Sequence, residues 1–289
     1  MNAIRRIFFS ENLTWSPREM FIMRALMAVT TFCAIHWDLP VSAAEVPQPN
    51  GFAQLVPLGW LANETLLQWI GMPLVAAGLA VWVMGWFPVF SLLPAVFYAA
   101  ATGSLRNSMG DIGHSTQLPV MVLLGQWAAY VSHALRTGDW VRASPAAHRD
   151  AVLWALVVLA AGYLASAIVK LKASRFTWFE RVPFLAVQVI KSNLSDYYSS
   201  LEPASPFFSE TVPRLIVKWP NLARCFFGTG FFLELLAPLL LFNRRMTFWF
   251  GAALIAMHAG ISLIMEIEFW FNIALLGIFC IIPGWKRRL

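Results

Sequence analysis

Long apolar runs alternate with short polar segments along most of the chain. Eight of the runs are long enough, or nearly so, to cross the roughly 30 Å hydrocarbon core of a bilayer as helices. Their predicted bounds in chain order are 19–37, 66–85, 87–101, 118–135, 151–169, 222–242, 247–265 and 269–282. The pattern therefore predicts an all-α protein, a polytopic transmembrane helical bundle of about eight spans, with residues 1–289 forming a single domain.

The longest connection, 170–222, lies between the fifth and sixth predicted spans. An unstructured connection of this length is uncommon in a compact domain, so we expect it to contain structure of its own. Residues 183–190 are apolar but too few to cross a bilayer. They predict a surface helix or a re-entrant helix within an extramembrane connection.

Composition supports the membrane assignment, because 59% of the residues are hydrophobic and only 12% are charged. A soluble domain has about 25% charged residues. The net charge of +6 does not indicate a nucleic-acid partner, since Lys and Arg lie mostly in short connections and near the C-terminus. The basic short segments fall on one side of an eight-span topology, and the positive-inside rule makes that side cytoplasmic. Both termini are then cytoplasmic, and Arg24 in the first span is expected to reach toward the N-terminal side.

Ionisable residues from separate segments are predicted to meet on the other side, which faces the periplasm, the exterior or a lumen. They are His114 before the fourth span, Lys170 at the end of the fifth, and Glu266 and Glu268 after the seventh, with His258 deeper in that span. Charged groups in a membrane are costly to bury and often mark functional sites. A lysine in poorly hydrated surroundings loses affinity for its proton and can act as a general base. A hydroxyl group of a reduced quinone is a suitable acid, and a nearby histidine could stabilise the oxyanion.

Each candidate also has a structural interpretation. Lys170 and Lys172 fit anchors whose ammonium groups reach lipid headgroups from a span end. His114 and His258 fit residues that make only local hydrogen bonds. Glu234, near the middle of the sixth span, fits a bundle residue with a hydrogen bond or with Arg224 or Arg245 as its partner.

Four segments, in this order, resemble the transmembrane region of vitamin K-dependent γ-glutamyl carboxylases and the wider HTTM (horizontally transferred transmembrane) proteins. The similar segments are Gly113-His114-Ser115, AGYLASAIVKL at 161–171 followed by Trp178, FLELLAPLLLFNRR at 232–245, and MHAGISLIMEIEFWFNIALL at 257–276. The resemblance covers about residues 14 to 283. It implies a single HTTM-like transmembrane domain.

The resemblance also implies a reaction and the residues that perform it. Lys170 would deprotonate vitamin K hydroquinone or another reduced quinone, and His114 would support the oxyanion. Quinol epoxidation would be coupled to proton abstraction or carboxylation, as in a quinol-dependent lyase or oxidoreductase. The candidate substrate- or cofactor-binding residues are Lys172, His258, Glu234 and Trp178. The expected partners are the lipid bilayer, a lipid-soluble quinone and a peptide or protein substrate on the outer side, with no nucleic acid and no metal.

Two alternatives remain open. One is a non-enzymatic membrane component, such as a partner in peptide export or toxin immunity, and the other is a small-molecule transporter. The enzyme interpretation predicts a pocket that joins Lys170 to His114, opens sideways to lipid and holds its ligand between the fourth and fifth helices. The transporter interpretation predicts a polar route to the cytoplasmic side, and the partner interpretation predicts neither.

Overall fold

The computed structural model describes residues 13–37, 49–108, 115–201 and 205–285 of the chain. Over these residues the protein consists of helices and turns, with no β-strand. The helices in chain order are α1 (Pro17–Trp37), α2 (Glu64–Val83), α3 (Pro88–Ser108), α4 (Gln117–Thr137), α5 (Pro145–Ala173), α6 (Trp178–Arg181), α7 (Leu185–Ser200), α8 (Val212–Lys218), α9 (Pro220–Leu235), α10 (Arg244–Met265) and α11 (Trp270–Ile281). An all-α helical bundle, as predicted, is therefore present.

Helices α1 to α5 and α10 are long and apolar enough to cross a membrane. These six fit an integral membrane protein that contacts lipid. The sixth and eighth predicted spans are helical but shorter. Helix α9 gives way to a 3₁₀ turn at Ala237–Leu241, and α11 ends in a π turn at Gly277–Ile281. The count of eight crossings, like the side on which each terminus lies, stays a prediction.

Helix α3 extends past the predicted span, to Ser108. The added turns are polar, and their hydroxyl groups bind the backbone of the segment before α2. Ser104 Oγ accepts a hydrogen bond from the Ala53 N–H at 2.9 Å, and Ser108 Oγ accepts one from the Asn50 N–H at 2.8 Å. The polar residues in the last turns of α3 therefore hold the preceding loop in place and do not mark the end of the helix.

Helix α5 is longer than predicted at both ends. Ser144 caps its start, because Ser144 Oγ accepts a hydrogen bond from the Ala147 N–H at 3.1 Å, and Pro145 occupies the first turn. The 29 residues of α5 span about 44 Å at the usual helical rise, more than the hydrocarbon core requires. Lys170 consequently lies in the last turn of the helix and not in the connection after it.

The connection from α5 to α9 is largely helical in its described residues. It contains α6, a 3₁₀ turn at Val182–Phe184, α7 and α8. Buried side chains from this connection form a second apolar core with the start of α9 and the end of α10: Val182, Ala186, Val189, Ile216, Ala223 and Met265. The connection therefore packs on the end of the bundle where α5 and α10 terminate, called the Lys170 end below.

Polar bonds join separate helices at the opposite end. Arg24 is buried, and its Nη2 donates to the Val83 carbonyl at the end of α2, 3.2 Å away, rather than reaching into solvent. Glu19 and Arg244 form an ion pair of 2.7 Å, and Arg244 Nη1 also donates to the Thr14 carbonyl at 2.9 Å. These bonds fix the start of α1 against the start of α10.

Candidate ligand site beside Lys170

A cavity of about 560 Å³ lies between the last turn of α5 and helices α9 and α10, at the Lys170 end of the bundle. This volume is typical of small-molecule sites, which occupy about 300–1,000 Å³. Apolar side chains make up most of the wall. Its charged residues are Lys170 and Glu234, and its aromatic residues are Trp178, Phe226, Phe227 and Phe231.

Lys170 and Glu234 form an ion pair on the wall of this cavity. Ser166 Oγ donates a further hydrogen bond to Glu234 Oε2, 3.3 Å away. The Glu234 side chain is only 7% exposed, whereas that of Lys170 is 36% exposed. Two opposite charges in a largely apolar wall are stabilised by each other, so removal of either one leaves the other poorly compensated.

The partner of Glu234 is thus Lys170 and not one of the two arginines that the sequence suggested. Arg224 instead donates from Nε to the Phe179 carbonyl at 3.2 Å and from Nη1 to Asn221 Oδ1 at 2.9 Å. Arg224 therefore links α9 to α6, and the Glu234 carboxylate pairs with Lys170 instead.

A second polar pair lies deeper in the bundle. Tyr163 Oη and His258 Nε2 are 2.7 Å apart, and the His258 ring lies 4.5 Å from the Phe269 ring. His258 is 3% exposed, and its Nδ1 atom has no hydrogen-bond partner in the part of the chain that the structure describes. The pair is a buried polar contact between α5 and α10.

The two pairs share one face of α5. Tyr163, Ser166 and Lys170 are separated by three and four positions, the spacing that puts side chains above one another on a helix. Tyr163 lies about 10 Å along the helix axis from Lys170. This face of α5 therefore presents a polar stripe to α9 and α10 at the Lys170 end.

Trp178 lies on the cavity wall beside Lys170. Its ring stacks on that of Phe231, with a centroid distance of 5.2 Å and an interplanar angle of 27°. Phe179 meets Phe231 edge to face at 5.3 Å. These rings pack α6 against α9 and give the cavity an aromatic side.

The remaining predicted site residues are placed differently. Lys172 is exposed and is not among the residues that line the cavity, and His258 lies behind the wall rather than on it. His114 falls outside the described residues, so a pocket that joins it to Lys170 stays a prediction. The cavity itself lies between α5, α9 and α10, and not between the fourth and fifth predicted helices where a ligand was expected.

Sequence reasoning missed Tyr163 and Ser166, although both bond to predicted site residues. Their signal was their position on the same helix face as Lys170. A tyrosine and a serine in an otherwise apolar run are easily interpreted as ordinary packing residues, so the signal was weak.

The described residues contain no group of three or more His, Cys, Asp or Glu side chains that could hold a metal ion. Comparison of the chain with protein-family models, curated proteins and solved structures gave no match. The class that fold and composition define is a helical integral membrane protein, and its likeness to the HTTM proteins depends on the four sequence segments alone.

Proposed function

We propose that the cavity binds a reduced quinone, such as vitamin K hydroquinone, and that Lys170 acts as the general base on its hydroxyl group. The observation that carries the proposal is the Lys170–Glu234 ion pair in the wall of an otherwise apolar cavity of about 560 Å³. A flat apolar ring fits the aromatic and aliphatic wall. The hydroxyl group of the bound quinol would then lie beside Lys170 and Glu234.

The ion pair offers a way to produce a neutral amine only when the ligand is bound. A ligand that fills the cavity displaces water, and loss of water disfavours two charges relative to two neutral groups. A proton then moves from Lys170 Nζ to Glu234, which leaves an amine beside a carboxylic acid. The amine takes the hydroxyl proton of the quinol, and the new ammonium group remains beside the oxyanion that it has formed.

The later steps follow the resemblance to the carboxylases. By that resemblance, His114 would support the oxyanion, and a bound quinol with molecular oxygen as oxidant would supply the strong base. This base would take a proton from a peptide or protein on the non-cytoplasmic side, and in a carboxylation carbon dioxide would add to the resulting carbanion. Tyr163 and His258 hold α5 and α10 in place behind the cavity.

An observation on α5 favours this binding site over a transport route. Between His148 and Tyr163 the buried side chains of this helix are all apolar: Ala151, Val152, Ala155, Leu156, Leu159 and Ala160. A polar path along α5 therefore stops at Tyr163. A purely structural membrane component, in turn, would not require a cavity with a buried carboxylate in its wall.

The test uses the full-length protein in lipid nanodiscs with vitamin K hydroquinone and oxygen. We expect quinol oxidation by the wild type, a loss of about 100-fold or more for Lys170→Met, and near wild-type rates for Lys172→Met. Lys172 is the matched control because it lies two residues away but outside the cavity wall. Oxidation that survives Lys170→Met but is lost in Lys172→Met would show that the base is wrongly assigned.

A second variant tests the location of the ligand. Gly260 lines the cavity, and a Cβ atom built on it would meet no atom within 4 Å. Gly260→Leu should therefore fill part of the cavity without a clash and weaken quinone binding, measured by titration of the purified protein. Unchanged binding to this variant would place the ligand elsewhere.

A further inference from the structure

Helix α7 has three chemically different faces. Its first face is buried against the protein and carries Ala186, Val189 and Asn193, spaced by three and four positions. This face packs on α8 and on the end of α10, and it shares the second apolar core with the start of α9. It is the protein-facing side of α7.

The second face is apolar but uncovered. Val187, Ile190, Leu194 and Tyr198 follow one another at spacings of three and four, and they are 64%, 41%, 49% and 74% exposed. A contiguous exposed apolar stripe of this kind marks a surface that meets lipid or a partner. No part of the chain that the structure describes covers this stripe.

The third face is polar and carries Gln188, Lys191 and Ser195, again at spacings of three and four. Lys191 is exposed and adjoins the apolar stripe. A helix that lies in a membrane interface has an apolar side toward the acyl chains and a polar side toward water, with lysines near the boundary. Helix α7 has both sides in addition to its protein-facing side.

The position of α7 favours lipid over a protein partner as the occupant of the apolar stripe. Its buried face shares the second apolar core with Ala223 near the start of α9 and with Met265 at the end of α10, a helix of spanning length. Trp219, which alone separates α8 from α9, is 54% exposed, and Lys218 Nζ lies 5.8 Å from its ring. Tryptophan and lysine are typical of the membrane–water interface. The stripe thus lies beside the end of α10, a helix of spanning length, where a membrane–water interface is expected.

We propose that α7 lies in the plane of the membrane interface at the Lys170 end, with Val187, Ile190, Leu194 and Tyr198 inserted among the acyl chains. Leu185, the first residue of α7, and Trp178 both line the cavity. The start of the helix therefore forms part of the cavity wall, and the proposal places that part of the wall at the depth of the lipid headgroups. This proposal does not depend on the identity of the ligand.

The experiment measures the depth of single nitroxide labels on the full-length protein in phosphatidylcholine vesicles. Cys33 and Cys225 are exposed free cysteines and are first replaced by serine. Labels at Val187→Cys and Leu194→Cys are compared with labels at Gln188→Cys and Ser195→Cys on the same helix. All four side chains are exposed and lie outside the buried face of α7, so the substitutions leave the second apolar core intact.

Lipid contact predicts that the labels at 187 and 194 collide more with oxygen than with a water-soluble nickel chelate, and that the order reverses at 188 and 195. Equal chelate access at all four positions would overturn the proposal. Protection of 187 and 194 that disappears when the protein-to-lipid ratio is lowered would also overturn it, because a second copy would then cover the stripe.

Discussion

Lys170 and Glu234 lie 64 positions apart in the sequence and meet as an ion pair near the last turns of α5 and α9. The pair is unequal, because the carboxylate is almost fully buried and the ammonium group is partly exposed. Glu234 therefore depends on Lys170 for its stability more than Lys170 depends on Glu234.

Lys170→Met should lower the free energy of unfolding by about 1–3 kcal/mol, since it leaves Glu234 unpaired in an apolar wall. The loss is smaller than the about 3–5 kcal/mol for a fully buried pair, because the Lys170 side chain is 36% exposed. The double variant Lys170→Met/Glu234→Gln removes both charges and should recover part of the loss in thermal unfolding. A double variant no more stable than Lys170→Met would show that the two groups are not coupled.

Tyr163→Phe should destabilise the protein by about 1–3 kcal/mol, because His258 Nε2 would lose its partner in a buried setting. Tyr197→Phe is the matched control, since Tyr197 is 39% exposed on α7. Both variants can be compared by thermal unfolding in the same detergent. Equal melting temperatures would mean that the Tyr163–His258 contact contributes nothing to stability.

Arg244→Met should lower the free energy of unfolding by about 3 kcal/mol, while Arg245→Met should leave it almost unchanged. Arg244 pairs with the buried Glu19 and also binds the Thr14 carbonyl, whereas Arg245 is exposed. The two variants remove the same charge from neighbouring positions, so any difference in stability between them comes from the contacts of Arg244. Similar losses of stability in both variants would instead mean that the two basic residues act through the membrane topology of the chain.

Gly251→Ala should destabilise the contact between α10 and α11 by about 1–3 kcal/mol. A Cβ atom at Gly251 would collide with Cys280 Cβ, whereas one at Gly103 would meet no atom within 4 Å. Gly103→Ala should therefore be neutral or slightly stabilising, because alanine favours a helix interior. A neutral Gly251→Ala would show that α11 can move away from α10 at little cost.

Asp139 gives the turn after α4 a dependence on pH. Its Oδ1 accepts hydrogen bonds from the Val141 and Arg142 N–H groups, both at 3.0 Å, and these bonds lower the pKa of the carboxyl group. A lowered pKa contributes stability at pH values above the pKa of the unfolded chain, and this contribution is lost as the pH falls through the folded pKa. Asp139→Ala should thus melt below the wild type at neutral pH, and the difference should shrink in acid. A difference independent of pH would exclude this role of the carboxylate.

Hydropathy predicted the all-α bundle and most of its long helices because a bilayer imposes a minimum length on each apolar run. It misplaced the ends of α3 and α5, where polar residues such as Ser104 and Ser144 serve as docking and capping groups inside or beside a helix. Such residues are indistinguishable from loop residues by composition. Only their three-dimensional partners show the difference.

The sequence predicted several residues of the candidate site but not the contacts between them. Lys170, Glu234 and Trp178 were all named from the sequence, and all three line one cavity. The pairing of Lys170 with Glu234 could not be predicted, since it depends on the relative rotation of α5 and α9. Tyr163 escaped notice for the same reason, because its importance comes from the imidazole of His258 on α10.

The bond from Arg24 to the Val83 carbonyl has a consequence for how the protein enters the membrane. Helix α1 is synthesised before α2, so the Arg24 guanidinium group lacks this acceptor until α2 is complete. A lone arginine in a nascent span costs about 2.5–3.5 kcal/mol at the bilayer centre and less near the ends of the span, where Arg24 lies, and the carbonyl at the end of α2 offsets part of that cost. We therefore expect the first two helices to leave the translocon together as a hairpin.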